Sequence, residues 1–141
     1  MIAFSDWIDM NLRTGHRGPA VYQFRLTHQS EAVSIGRLLK PDPEGTLVIG
    51  STGNLERRAD QSRAARLYAS GSSTMNLLYY VENYTALLQL FPGCSYDYRF
   101  LQVETAEAAK ELEGSLLKDY FKTFGELPPL NSVIPDRYSN W

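Results

Sequence analysis

The chain has 141 residues, of which 43% are hydrophobic and 21% charged, and a formal net charge of −2. This length suits one domain, and the composition is typical of folded, soluble proteins rather than disordered ones. The single cysteine, Cys94, excludes an internal disulfide and a cysteine-rich zinc module. No apolar run approaches the roughly 20 residues that cross a bilayer, and the N-terminal stretch is acidic where a signal peptide is basic. We therefore expect one cytoplasmic domain over residues 1–141 with no membrane partner.

The positive charge is unevenly distributed and consists mostly of arginine. Residues 1–70 hold nine basic and seven acidic side chains, whereas residues 71–141 hold five and nine. Four arginines fall within ten positions: Arg57, Arg58, Arg63 and Arg66. Arginine suits bidentate contacts with carboxylate or phosphate, although such a run more often forms a solvated helix face. Taken alone, the charge pattern favours the solvated face.

The first 50 residues predict one helix and two strands. Residues 4–13 carry apolar side chains at helical spacing, which predicts an N-terminal helix within residues 1–15. Residues 20–26 and 46–50 are rich in β-branched and aromatic residues, which favours strands. Because one polar connection, residues 28–45, joins them, we expect these strands to pair antiparallel.

Two helices are predicted in the middle of the chain. Thr52 or Asn54 can cap a helix over about residues 55–68. Ser73 or Thr74 can cap the next one, and a Pro-Gly pair at 92–93 ends it. The apolar stripe of this second helix is Leu77, Val81, Tyr84, Leu88 and Phe91.

A third strand and a long helix complete the pattern. Residues 96–104 alternate as a strand does, and Thr105 can cap a helix that runs to about Phe124 and is closed by Gly125. The C-terminal stretch, including the tail 132–141, is too rich in proline for regular structure. The element order αββααβα predicts an α+β domain with a small three-stranded antiparallel sheet flanked by helices.

One residue of the last helix does not fit its apolar stripe. Glu113 lies four residues after Ala109, three before Leu116 and four before Leu117. A carboxylate on the packing side is costly unless a donor, a cation or a metal compensates it. The sequence leaves two interpretations open: a functional carboxylate, or one that pairs with an arginine at the edge of the core.

These elements carry motifs in a recognisable order. The stretch AVYQFRL contains Tyr22, and LVIGSTGNLERR contains Gly50 followed eight residues later by Arg58. The helix with Glu113 comes next, and PPLN ends at Asn131. This order resembles the GIY-YIG nuclease family. In that family, two tripeptide motifs on neighbouring strands precede a fixed arginine, a metal-binding glutamate and a late asparagine.

The resemblance covers residues 19–131 and implies hydrolysis of phosphodiester bonds in nucleic acid, with DNA the expected form. It implies a single Mg²⁺ or Mn²⁺ held largely by Glu113, and such hard cations need few protein ligands. Tyr22 would orient or deprotonate the attacking water, Arg58 would stabilise charge on the phosphate, and Asn131 would fix a loop near the metal. We expect further nucleic-acid contacts from Thr52, Asn54, Arg57, Arg63 and Arg66.

The chain departs from the family pattern at three positions. Ala20 replaces the first motif's glycine, Val48 stands where the family has its second tyrosine, and Ser62 occupies a position that is often His or Tyr. Neither Val48 nor Ser62 is an effective base at neutral pH. An alternative is therefore a domain that binds nucleic acid or a protein partner without efficient cleavage. A third is an unrelated α+β interaction domain. For a nuclease, either a homo-oligomer or a separate DNA-binding partner is expected to supply specificity.

Overall fold

A computed structural model describes residues 3–68, 75–84 and 94–131. The described part is an α+β arrangement with a five-stranded antiparallel sheet. The strands and helices, in chain order, are β1 Ile8–Asp9, β2 Ala20–His28, β3 Glu31–Ala32, β4 Thr46–Thr52, α1 Leu55–Tyr68, α2 Asn76–Tyr84, β5 Ser95–Gln102 and α3 Ala106–Phe124. None of the described helices is long and apolar enough to cross a membrane.

Strand β2 is the centre of the sheet. Strand β5 pairs with one of its edges, while β4 and the short β3 pair with different parts of the other edge. This register places Tyr22 of β2 between Gly50 of β4 and Phe100 of β5. The two predicted motif strands are therefore antiparallel neighbours, as expected.

Two hydrophobic clusters cover opposite faces of the sheet. Tyr22, Phe24 and Val48 belong to one cluster, together with buried residues of α1 and α2. Val21 and Ile49 belong to the other, which includes buried residues of α3. Because side chains alternate along a strand, neighbouring residues contribute to different clusters. Any site at the edge of β4 can thus receive side chains from both faces.

The expectation of an N-terminal helix is wrong. Ile8 and Asp9 form β1, which pairs with the outer edge of β5. Ser5 extends this pairing, since its backbone N–H donates to the carbonyl of Phe100 at 2.8 Å. The exposed edge of β5 offers unpaired backbone groups, and satisfying them outweighs the local helical spacing of the segment. Together with β3, strand β1 raises the expected three strands to five in the described part of the sheet.

The polar connection between the two motif strands also contains more structure than expected. Strand β3 forms a hairpin with the end of β2, and Ile35 bridges to Asp42. The buried Asp42 side chain accepts hydrogen bonds from the backbone N–H groups of Glu44 and Thr46. These bonds fix the turn that leads into β4.

The structure confirms the predicted bounds of α1 and the predicted caps of α3. Helix α1 has the predicted bounds, and Thr105 caps α3 by accepting a hydrogen bond from the backbone N–H of Ala108 at 3.0 Å. Gly125 ends α3 with a left-handed φ of 79°. Helix α2 confirms part of the second predicted helix. The predicted cap and the end of that helix, and the tail 132–141, lie outside the described residues.

Candidate active site at the edge of strand β4

Tyr22 lies against the backbone of β4 at Gly50. A Cβ atom placed on Gly50 would meet Cζ of Tyr22 at 2.5 Å and Cε2 at 2.9 Å, which no side chain tolerates. The glycine thus makes room for the phenol ring, which is buried with 7% of the residue exposed. The glycine of the second motif is therefore needed for the tyrosine of the first motif to pack against β4.

Arg58 reaches Tyr22 from the first turn of α1. Asn54 caps this helix, because its Oδ1 accepts a hydrogen bond from the backbone N–H of Arg57 at 3.1 Å. The Thr52 hydroxyl accepts from the backbone N–H of Asn54 and donates to its carbonyl, both at 3.1 Å. The turn orients the helix so that Nη1 of Arg58 donates to the Tyr22 hydroxyl oxygen at 3.3 Å. Thr52 and Asn54 thus build the turn that holds Arg58.

Arg58 differs from most other arginines in its lack of a carboxylate partner. Of the arginines in the described residues, only Arg57 and Arg58 form no ion pair, and Arg57 is exposed whereas Arg58 is half-buried. A half-buried guanidinium without a counter-ion keeps its charge and its N–H donors available for an anionic ligand. The arginines that do form ion pairs are Arg13, Arg17, Arg25, Arg37, Arg63, Arg66 and Arg99.

The electrostatic surroundings keep the Tyr22 phenol protonated. Burial raises the pKa of Tyr22, the Arg58 cation lowers it, and the Glu113 carboxylate raises it, with a net increase above the ordinary value. Within the described residues, the bond accepted from Arg58 is the one hydrogen bond of this hydroxyl. Its O–H can therefore donate to a ligand. A phenol donor beside a guanidinium suits an anionic oxygen atom.

Glu113 approaches the same stretch of β4 from the opposite face of the sheet. Its side chain is half-buried on α3, and its Oε2 accepts a hydrogen bond from the Ser51 hydroxyl at 3.0 Å. Ser51 directly follows Gly50, so strand alternation turns it away from the face that holds Tyr22. Ser51 was not among the predicted site residues, although its place one residue after Gly50 on a strand indicates that it faces the side of the sheet covered by α3.

Asn131 binds the free edge of β4. Its Oδ1 accepts from the backbone N–H of Ile49 at 2.9 Å, and its Nδ2 donates to the Ile49 carbonyl at 3.0 Å. The backbone N–H of Leu130 donates to the Leu47 carbonyl at 2.8 Å. The segment thus extends the sheet beside Gly50, and the amide of Asn131 holds the backbone of the site in place.

The other two arginines of the run are engaged within the chain. Arg63 donates to the Met10 carbonyl at 2.8 Å and pairs with Asp60. Arg66 donates to Glu82 at 3.1 Å, and its guanidinium lies 4.8 Å from the ring centre of Tyr96. Internal carboxylates therefore compensate both charges. Arg57, by contrast, is exposed at the start of α1.

A divalent metal fits this site only as a lightly held ion. No group of three or more His, Cys, Asp or Glu side chains that could hold a metal occurs among the described residues. Glu113 offers one carboxylate, while the Asn131 amide is occupied by the backbone of β4. Mg²⁺ commonly binds through one or two carboxylates and keeps several waters. The donor set therefore fits Mg²⁺ or Mn²⁺ better than a metal that requires a full set of protein ligands.

The positions that depart from the family pattern lie in the interior. Val48 is 6% exposed and packs with Phe24 in the core, and Ser62 is 1% exposed on α1. Neither offers a base at the edge of β4. Comparisons with protein-family models, with curated proteins and with solved structures gave no match. The likeness to GIY-YIG nucleases therefore remains a prediction from the motifs.

Proposed function

We propose that this chain is a GIY-YIG-type endonuclease that hydrolyses phosphodiester bonds in nucleic acid, with DNA as the expected substrate. The observation that carries the proposal is the half-buried Arg58, which has no carboxylate partner among the described residues and lies beside the buried Tyr22 hydroxyl. A phosphate diester supplies the anionic oxygen atoms that these two donors lack.

Each of these residues has a distinct part in the reaction. Arg58 binds a non-bridging phosphate oxygen and stabilises the charge that develops on it in the transition state. Tyr22 donates a hydrogen bond rather than accepting a proton, because its raised pKa keeps the phenol neutral. Its hydroxyl therefore orients an oxygen of the substrate or of the attacking water.

Glu113 is the residue that would hold Mg²⁺ or Mn²⁺. Such an ion, when bound, lowers the pKa of a coordinated water and polarises the phosphate. The hydrogen bond from Ser51 orients the carboxylate toward the edge of β4. Asn131 keeps that edge in place through its two bonds to Ile49.

The test is nicking of supercoiled plasmid and cleavage of single-stranded DNA and RNA, with Mg²⁺ or Mn²⁺ and then with a chelator. Arg58→Ala and Glu113→Gln should each lower the cleavage rate about 100-fold or more. Arg17→Ala and Glu111→Gln are matched controls, because Arg17 is 82% exposed and Glu111 is exposed on the same helix as Glu113. Equal loss in the controls, or nicking that survives the chelator, would contradict the assignment.

A second candidate is a domain that binds nucleic acid without efficient cleavage. The raised pKa of Tyr22 and the burial of Val48 and Ser62 favour it, because these positions then provide no general base. Salt-sensitive binding without nicking, weakened by Arg58→Ala, would support this candidate. The low net charge also leads us to propose that a homo-oligomer or a separate DNA-binding partner adds affinity. Failure to bind or cleave any nucleic acid would refute both candidates.

A further inference from the structure

Ser51 and Glu113 place two oxygen atoms side by side at the edge of β4. The Ser51 hydroxyl donates to Oε2 of Glu113 at 3.0 Å, and both side chains are half-buried. Ser51 is held by the pairing of β4 with Val21 of β2. Glu113 is held by α3, whose buried residues Ala109 and Leu117 pack in the cluster that covers this face of the sheet. Both oxygens therefore project from regular, packed elements rather than from loops.

The hydroxyl oxygen of Ser51 has bonding capacity beyond this one contact. A serine hydroxyl has one proton to donate and two lone pairs that can accept. Within the part of the chain that the structure describes, donation to Glu113 is the one hydrogen bond of this hydroxyl. Its lone pairs are thus available to a cation.

The separation of the two oxygens matches the coordination sphere of Mg²⁺. This ion binds oxygen atoms at about 2.0–2.1 Å in octahedral geometry, which sets neighbouring ligand oxygens about 2.9 Å apart. Oγ of Ser51 and Oε2 of Glu113 are 3.0 Å apart. A hydrogen bond between a hydroxyl and a carboxylate has a similar length, so the two oxygens can exchange a shared proton for a shared ion without moving apart. The hydroxyl proton only has to rotate away from the carboxylate.

We propose that the hydroxyl oxygen of Ser51 is a second protein ligand of the divalent ion that Glu113 would hold. This inference rests on the metal-binding part of the proposed function. Hydroxyl and carboxylate oxygens are hard donors, which suit Mg²⁺ and Mn²⁺. Ser51 directly follows Gly50, where the ring of Tyr22 packs, so the pair stands close to the donors assigned to the phosphate.

Binding of Mn²⁺ to the full-length protein, followed by the electron paramagnetic resonance signal of the free ion, tests the proposal without nucleic acid. Ser51→Ala and Glu113→Gln should each weaken Mn²⁺ binding about tenfold or more, whereas Ser51→Thr keeps the hydroxyl and should bind as the unaltered protein does. Ser95→Ala, at an exposed position of β5, is the matched control and should change nothing. Unchanged affinity in Ser51→Ala, or no binding of Mn²⁺ by the unaltered protein at millimolar concentration, would overturn the proposal.

A cysteine variant distinguishes a ligand from a residue that only positions Glu113. In Ser51→Cys, sulfur would replace the ligand oxygen, and thiolates prefer soft ions such as Cd²⁺. Binding of Mn²⁺ should fall about tenfold, while binding of Cd²⁺ should rise about tenfold above that of the unaltered protein. Ser95→Cys controls for the binding of Cd²⁺ by any exposed thiol. If Ser51→Cys gains no more affinity for Cd²⁺ than Ser95→Cys does, Ser51 is not a ligand and the proposal is overturned.

These measurements separate the role of Ser51 from the nuclease assignment. If Ser51→Ala binds Mn²⁺ normally but Glu113→Gln does not, Glu113 still holds the ion and only the role of Ser51 is refuted. If both variants lose Mn²⁺ but the unaltered protein cleaves no nucleic acid with the ion bound, the two-residue metal site is supported and the nuclease assignment is wrong.

Discussion

The packing of Tyr22 against Gly50 gives a prediction that is independent of any assigned function. In Gly50→Ala, the added methyl group would lie 2.5 Å from Cζ of Tyr22 and 2.9 Å from Cε2. The phenol ring must then move. Because Tyr22 is 7% exposed and belongs to the core cluster, movement either strains its neighbours or opens the core.

The expected cost follows from these contacts. Overpacking of a buried position costs about 1–3 kcal/mol. Replacement of glycine by alanine also stiffens the unfolded chain, which returns about 0.4–1 kcal/mol. The net loss of unfolding free energy should be about 1–2 kcal/mol, or a Tm lower by about 3–10 °C for a domain of this size.

Urea denaturation and thermal melting followed by circular dichroism measure this loss. Gly53→Ala is the matched control, because a Cβ there would meet only the Cβ of Ala106 at an ordinary 3.8 Å. In the background Tyr22→Leu, the cost of Gly50→Ala should shrink by about 1 kcal/mol, because the ring that clashes is gone. Equal stability of Gly50→Ala and Gly53→Ala, or an equal cost in both backgrounds, would refute the proposed packing.

Three further predictions concern stability. Asn131→Asp should lower the unfolding free energy by about 1–3 kcal/mol, because a carboxylate oxygen would replace the Nδ2 donor that binds the Ile49 carbonyl; a neutral effect in urea denaturation would contradict this. Tyr120→Phe removes the buried hydrogen bond to Asp42, and the same assay should show a loss of about 1.5–3 kcal/mol. Burial raises the pKa values of Tyr22 and Tyr120 above the ordinary 10.0, so the unfolded chain releases these protons first. The unfolding free energy should therefore keep its full value below about pH 10 and fall at higher pH. An unfolding free energy that does not change between pH 8 and 11 would contradict this.

The N-terminal segment shows where local pattern fails to determine structure. The apolar spacing of residues 4–13 fits a helix, but Ile8 and Asp9 pair with β5. Trp7 packs under Arg25, whose guanidinium lies 4.3 Å from the ring centre. Both partners are distant in sequence, so nothing within the segment itself indicates them. A short amphipathic stretch can form either a helix or an edge strand. Here the free edge of β5 offers backbone hydrogen bonds, so the segment forms a strand.

The arginines of α1 also separate what the sequence could indicate from what it could not. Arg58, Arg63 and Arg66 look alike in the sequence, yet Arg63 and Arg66 meet carboxylates and Arg58 meets a phenol. The partner of Arg66, Glu82, lies 16 positions away. The pattern could indicate that arginines cluster on one helix. It could not indicate which guanidinium would be left without a counter-ion.

Local signals in the sequence determined the bounds of α1, the caps of α3 at Thr105 and Gly125, and the antiparallel pairing of β2 with β4. These features depend on residues a few positions apart, or on a single connection between two strands, so they can be predicted without the rest of the molecule. Only the tertiary structure decided that Ser51 binds Glu113, 62 positions away, and that Arg99 orients the amide of Gln23. Those contacts depend on which faces and edges of the sheet meet, and burial then sets the strength of each interaction.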